Sequence, residues 1–224
     1  LHSFPTRRSS DLWQSPAGAG KSSVAKKVAE RLALPFLDTG AIYRAITLAM
    51  TREGIPPVDS SPELAEKLRN VLVSFSEGRV FLNGEDVTEA IRTPEIDSAV
   101  SPYSALPSVR ASLLTIQREQ AKHGLVAEGR DMGTVVFPAA DLKIFLTATP
   151  EARAERRYRE RTARGEKVEY GEVLRQVNRR DEIDSGREIA PLRRADDAVY
   201  LDTTNDSFER VVEIVLEHAA GLRA

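Results

Sequence analysis

One short run constrains this chain more than any other: Pro16-Ala17-Gly18-Ala19-Gly20-Lys21-Ser22-Ser23, followed at once by an amphipathic segment. It carries all but the first residue of the pattern G-x-x-x-x-G-K-[ST], with Ser15 standing where that glycine belongs. Glycines at 18 and 20 let backbone N–H groups turn inward around a polyphosphate, which then sits at a helix N-terminus where the dipole favours negative charge. Lys21 is placed to reach the β/γ-phosphates, and the Ser22 hydroxyl to ligand Mg²⁺. A glycine-rich turn capped by Ser22 or Ser23 is the plainer alternative, but turn chemistry does not demand Gly-Lys-Ser in register with a helix.

Val24, Val28, Ala29 and Leu32 recur at helical spacing, with Lys26, Lys27, Glu30 and Arg31 on the other face. Leu34–Leu37 then reads as a short buried strand. Loop, helix and strand in this order begin an α/β nucleotide-binding fold. The preceding residues fit poorly, because Ser9 to Gln14 is polar at most positions where a fully apolar central strand is expected. Residues 1–14 are therefore expected to be a non-native leader that has replaced the first strand. Arg7-Arg8 has no apolar run behind it and does not make a signal.

Composition narrows the function classes. The 224 residues carry a net charge of −2, which argues against a globally basic nucleic-acid binder. The absence of cysteine removes disulfides, thiolate metal sites and cysteine nucleophiles, and three scattered histidines make a poor metal centre or Ser-His hydrolase. No apolar run has the length of a membrane span. A cytoplasmic enzyme is the expectation.

Four segments read as core strands: Leu34–Leu37, Leu125–Ala127, Leu142–Leu146 and Val199–Leu201. Each ends in a polar or glycine-bearing turn, which is where an open parallel sheet places its ligand crevice. The expected layout is a first core part over 15–59, an insertion over 60–124, core again over 125–150, an arginine-rich lid over 151–194, and a strand and amphipathic helix over 195–224. Within the insertion, Glu63–Val73 reads as a helix, Phe75–Gly84 as a hairpin, and Ser108 to about Lys122 as a second helix. The stretch Glu151–Arg194 reads as helical, with a break at Gly186. Its arginines exceed what i,i+4 pairs such as Glu155–Arg159 and Glu160–Arg164 absorb. The surplus suits a lid of guanidinium forks closing over phosphates better than a solvated face or an RNA-binding patch.

PAGAGKSS (16–23), LDTGAIYR (37–44), LNGEDVTEAIR (82–92), EGRDMGTVVFP (128–138), KIFLTA (143–148) and NRRDEIDSGREIAPL (178–192) together resemble the bacterial cytidylate kinases, the CMP kinase branch of the nucleoside monophosphate kinases. The resemblance runs from about residue 16 to the end. It implies a P-loop parallel five-stranded sheet flanked by helices, with an inserted NMP-binding lobe and a lid. It implies the reaction ATP + (d)CMP giving ADP + (d)CDP, with Mg²⁺, in a monomer without nucleic-acid or membrane partners. Carried over by matching motif, Arg44, Arg130 and Arg187 grip the acceptor phosphate, while Ser101, Arg110 and Asp131 read the cytosine. Arg180 and Asp184 hold the sugar and align the transfer, Thr39 and Tyr43 line the acceptor pocket, and Arg157 is the first lid candidate for ATP.

The residue types suit those roles. Cytosine presents an amino donor beside N3 and O2 acceptors, so Asp131 can accept while Arg110 and Ser101 donate. Asp184 can accept from both ribose hydroxyls. A kinase for UMP or AMP, and a non-catalytic ATP-binding switch module, are the competing expectations. The base-reading set disfavours the first, and the acceptor-side arginines have no purpose in the second.

Overall fold

The computed structural model describes residues 10–14, 16, 19–76, 78–121 and 124–221. Contacts divide the chain into two units, Leu1–Leu37 with Arg118–Ala224, and Asp38–Gln117.

The first unit is built on five strands, β1 (Ser10–Gln14), β2 (Phe36–Asp38), β6 (Leu125–Gly129), β7 (Leu142–Thr147) and β8 (Val199–Asp202). Their order is β2-β6-β1-β7-β8. The β1–β6, β1–β7 and β7–β8 pairs are parallel, with Leu12 opposite both Ala127 and Lys143. This sheet, with helices against it, is the expected α/β class.

The middle of the sheet corrects one expectation. Ser10–Gln14 is not a missing strand: it pairs on both sides, despite its polar composition. Ladder hydrogen bonds come from the backbone, and two apolar neighbours leave a slot that only an extended segment satisfies. The expected leader otherwise falls on residues 1–9, outside the described residues.

Helices α1 (Lys21–Leu32) and α8 (Phe208–Gly221) pack on this sheet. Val24, Ala25, Val28 and Ala29 of α1 meet Val211, Val212, Val215 and Ala219 of α8 over Val126, Ile144 and Leu146, all buried. Burying each of the larger side chains contributes roughly 1.5–3 kcal/mol. That packing fixes where the N-terminus of α1 lies.

Between β7 and β8 run α6 (Pro150–Ala163) and α7 (Tyr170–Ser185). Thr149 caps α6 by accepting from the Ala152 N–H, and Pro150 opens its first turn. The two helices share a small apolar core of Ala154, Val173 and Val177, with Tyr158, Val168 and Leu174 against it. The expected break is present, since α7 ends at Ser185 with Gly186 as its cap. A Cβ there would come within 2.9 Å of the Glu182 carbonyl oxygen. Residues 187–194, expected within the helical stretch, form no helix.

The second unit contains α2 (Thr39–Arg52), α3 (Pro62–Asn70), a three-stranded sheet of β3 (Val73–Ser76), β4 (Arg79–Leu82) and β5 (Glu85–Asp86), then α4 (Pro94–Ala105) and most of α5 (Pro107–Gln120). The sheet is antiparallel, as the hairpin expectation requires. Ile42, Ile46, Met50, Leu64, Ile91 and Ile96 form its fully buried interior. Lys122, the expected end of the second inserted helix, lies outside the described residues.

Candidate functional site

The turn into α1 depends on Gly20, which caps the helix at φ 80°, a left-handed conformation that suits a residue without a Cβ. Pro16 and Ala19 are buried, and Ser23 is exposed on the first turn of α1. Ala17, Gly18 and Ser15 lie outside the described residues. Lys21 and Ser22 open the helix, so both side chains leave from its positive end.

Both meet Glu128, at the carboxyl end of β6. Ser22 Oγ donates to Glu128 Oε1 at 2.7 Å, and Lys21 Nζ stands 3.6 Å from Glu128 Oε2. Glu128 is 2% exposed. Glu128 lies in the string EGRDMGTVVFP (128–138) but is not among the residues assigned a role by resemblance. Its signal in the sequence is an acid at the end of an otherwise apolar strand, where the sheet opens its crevice. A hydroxyl and a carboxylate converging beside a phosphate-binding helix terminus are hard oxygen donors, the type Mg²⁺ takes. These residues fit that ion.

One residue past Gly129, Arg130 enters a second cluster. Its Nε donates to Asp184 Oδ2 at 2.6 Å, and Arg187 donates to the other carboxylate oxygen, Oδ1. Burial pushes the Asp184 carboxyl up, but the charges of Arg130, Arg187 and Arg180 outweigh it and hold the group below its ordinary value of 3.8. Burial likewise pulls the Arg130 guanidinium down, and Asp184, with Glu128 and Asp181 behind it, reverses the effect and raises it. Three expected site arginines thus bear on one buried carboxylate.

Asp131, 2% exposed, stands before a π turn over Met132–Val136. Its carbonyl accepts from Val135 N and Val136 N, and Arg118 closes the far end by donating to the carbonyls of Val135 and Val136 at 3.0 and 2.9 Å. Single π turns of this kind recur at functional sites because they re-aim side chains. Arg157 lies half-buried on α6, while its neighbour Arg156 donates to Thr203.

The remaining expected residues belong to the second unit. Asp38 caps α2 by accepting from Ala41 N at 2.9 Å, which leaves Thr39 and Tyr43 buried on its first turns. The Arg110 guanidinium lies over the Tyr43 ring, 5.5 Å from its centroid, and donates to the Ser104 carbonyl at 2.9 Å. Ser101 is buried on α4. Arg44 pairs with Asp97 and donates to the Ile91 carbonyl.

Among the described residues, no helix is long and apolar enough to cross a membrane. No group of three or more His, Cys, Asp or Glu side chains could hold a metal ion among them either.

A family model described as cytidylate kinase matches residues 14–220. The chain is 49% identical over 206 residues to a cytidylate kinase of Carboxydothermus hydrogenoformans, covering 90% of this chain and 93% of that protein. It is 50% identical over 203 residues to a cytidylate kinase of Geobacter sulfurreducens, covering 88% and 87%. Among solved structures, an uncharacterized protein from Eubacterium ventriosum aligns with a TM-score of 0.53 at 10% identity, over 96% of this chain and 99% of that one, a likeness of fold alone. By its sequence over nearly its whole described length, the chain belongs to the cytidylate kinase family.

Proposed function

We propose that the chain phosphorylates CMP and dCMP from ATP, giving CDP and dCDP. The observation that carries this reading is family membership over residues 14–220. Lys21 and Ser22, the reacting end of the motif, open α1.

The acceptor phosphate is already an oxygen nucleophile and needs no general base. The chain's own work is positioning, charge neutralisation and exclusion of water. Loop N–H groups from Pro16 to Ser23 (Pro16 itself has none) and the Lys21 ammonium hold the donor phosphates. Mg²⁺, when bound, would supply the positive charge that offsets that of the phosphates. Ser22 and Glu128 are the residues that would hold it, directly or through its water. Arg130 and Arg187, which grip the Asp184 carboxylate, are chemically suited to grip an acceptor phosphate, and we assign Arg44 the same task. Asp184 accepts from the sugar hydroxyls, and Arg180 offsets the charge that develops in transfer. For the base, Asp131 accepts from the cytosine amino group, Arg110 and Ser101 donate, and Thr39 and Tyr43 supply walls. We assign Arg157 to ATP, and assign the paired α6 and α7 the part of a lid that keeps water from the γ-phosphoryl group. We further infer a cytoplasmic monomer acting on free nucleotides.

The test is ADP release from Mg·ATP with CMP, dCMP, UMP or AMP as acceptor. Turnover fastest with the cytosine nucleotides is expected. Turnover fastest with UMP or AMP would move the assignment to another base, and ATP binding without acceptor-dependent turnover would move it to a switch module.

A further inference from the structure

Arg153 is a buried charge that none of the roles above uses. It sits on the first turn of α6 at 3% exposure. Its Nε donates to the Ala148 carbonyl at 2.9 Å, just past the end of β7. Its two terminal nitrogens donate to the two oxygens of Asp181 on α7, Nη1 to Oδ1 at 3.0 Å and Nη2 to Oδ2 at 2.5 Å. One planar guanidinium therefore ties the end of a sheet strand to a helix by three hydrogen bonds, two of them a fork on a carboxylate.

Asp181 lies beside Arg180 and one turn before Asp184. Residues three apart share a helix face, so holding Asp181 holds the rotation and height at which α7 presents Asp184. Asp181 also belongs to the same electrostatic cluster, since its charge helps raise the Arg130 guanidinium. The apolar contact between α6 and α7, Ala154, Val173 and Val177 with Tyr158, Val168 and Leu174 against them, is non-directional and by itself selects no single register. Stability alone does not call for a charge in this place. Arg153 is buried and Asp181 is 27% exposed, so desolvation of the guanidinium offsets part of the attraction, and an apolar contact of similar volume commonly serves as well. What the fork adds is a single register.

We propose that Arg153 is a positioning residue for the phosphoryl transfer: through Asp181 it anchors α7 to the end of β7, so that Arg180 and Asp184 stand where the acceptor nucleotide needs them. Arg153 itself touches no substrate. The proposal rests on the kinase reading above.

The experiment compares the parent chain with Arg153→Lys, which keeps the charge and loses the fork, and with Asp181→Asn, which keeps the shape and loses the charge. Steady-state constants for CMP and for ATP are measured well below each Tm, with CMP affinity measured separately by calorimetry without ATP. A fall of about 10- to 100-fold in kcat/KM for CMP is expected, the range that a displacement of the order of an ångström produces. KM for ATP should change several-fold less than the CMP constants, because Lys21 and Ser22 belong to α1 and make their contacts with Glu128, and CMP affinity should weaken in both variants. The double variant should lose no more than the worse single one. Parent-like CMP constants in both variants with only Tm lowered would overturn the proposal and leave a structural brace. Equal losses toward ATP and CMP would overturn it too. A parent chain that does not phosphorylate CMP would instead overturn the kinase reading, which the parent assay alone decides.

Discussion

Ser22 and Glu128 are 106 residues apart in the chain and 2.7 Å apart in the fold, a hydroxyl at the first turn of α1 donating to a buried acid at the end of β6. The contact places an acceptor carboxylate against the helix to which the donor phosphates are assigned. Glu128→Gln should lower kcat by about 100-fold or more, the scale of losing one well-placed electrostatic group. It should also raise the Mg²⁺ concentration needed for half-maximal rate. Titrating rate against Mg²⁺ checks this, and an unchanged half-saturation would remove Glu128 from the metal's surroundings.

Lys21 faces the same acid at 3.6 Å with 16% of its side chain exposed, so it can exchange that partner for phosphate at little cost. Lys21→Ala should lower kcat by about 10²- to 10³-fold while the far-ultraviolet spectrum stays native and Tm moves by only a few degrees. An unchanged kcat would refute the assignment of the loop.

Arg130 and Asp184 form a pair whose side chains are 14% and 3% exposed. Arg130→Ala leaves the carboxylate buried with Arg187 and Arg180, and should cost about 3 kcal/mol in urea denaturation, the lower end for breaking such a pair. The pH dependence follows from Asp184. Its carboxyl titrates below its ordinary value of 3.8 in the folded chain, so its stabilisation is complete above that value and is lost only as pH falls through the depressed one. The stability difference between the parent and Asp184→Asn should therefore be constant from about pH 5 to 8 and narrow only in stronger acid. Narrowing near neutrality would contradict the arginine grip.

Asp131 is 2% exposed, and in the proposed base-reading role its carboxylate would reject a base that offers a carbonyl. Asp131→Asn, whose amide can donate as well as accept, should reduce the preference for CMP over UMP by about 100-fold. Paired kcat/KM values for the two nucleotides read this directly. An unchanged ratio would place base recognition elsewhere.

Local elements and lineage are legible in the residues alone. Periodic apolar residues on α1 and α8 and the Gly20-Lys21-Ser22 run at a helix start are local signals, because helix faces and glycine-dependent turns involve residues a few positions apart. Long strings such as DTGAIYR and GRDMGTVVFP were enough to point to the family. Which distant groups meet is set by the fold. That Glu128 answers Ser22 and that Asp184 is held by Arg130 from 54 residues away depend on a strand order, β2-β6-β1-β7-β8, that does not follow the chain, and that Arg153 forks onto Asp181 depends on how α6 packs on α7. The same holds for Ser10–Gln14, whose polar side chains hid a central strand. Its place is set by backbone pairing to the strands on either side, a signal that lies in its neighbours rather than in its own residues.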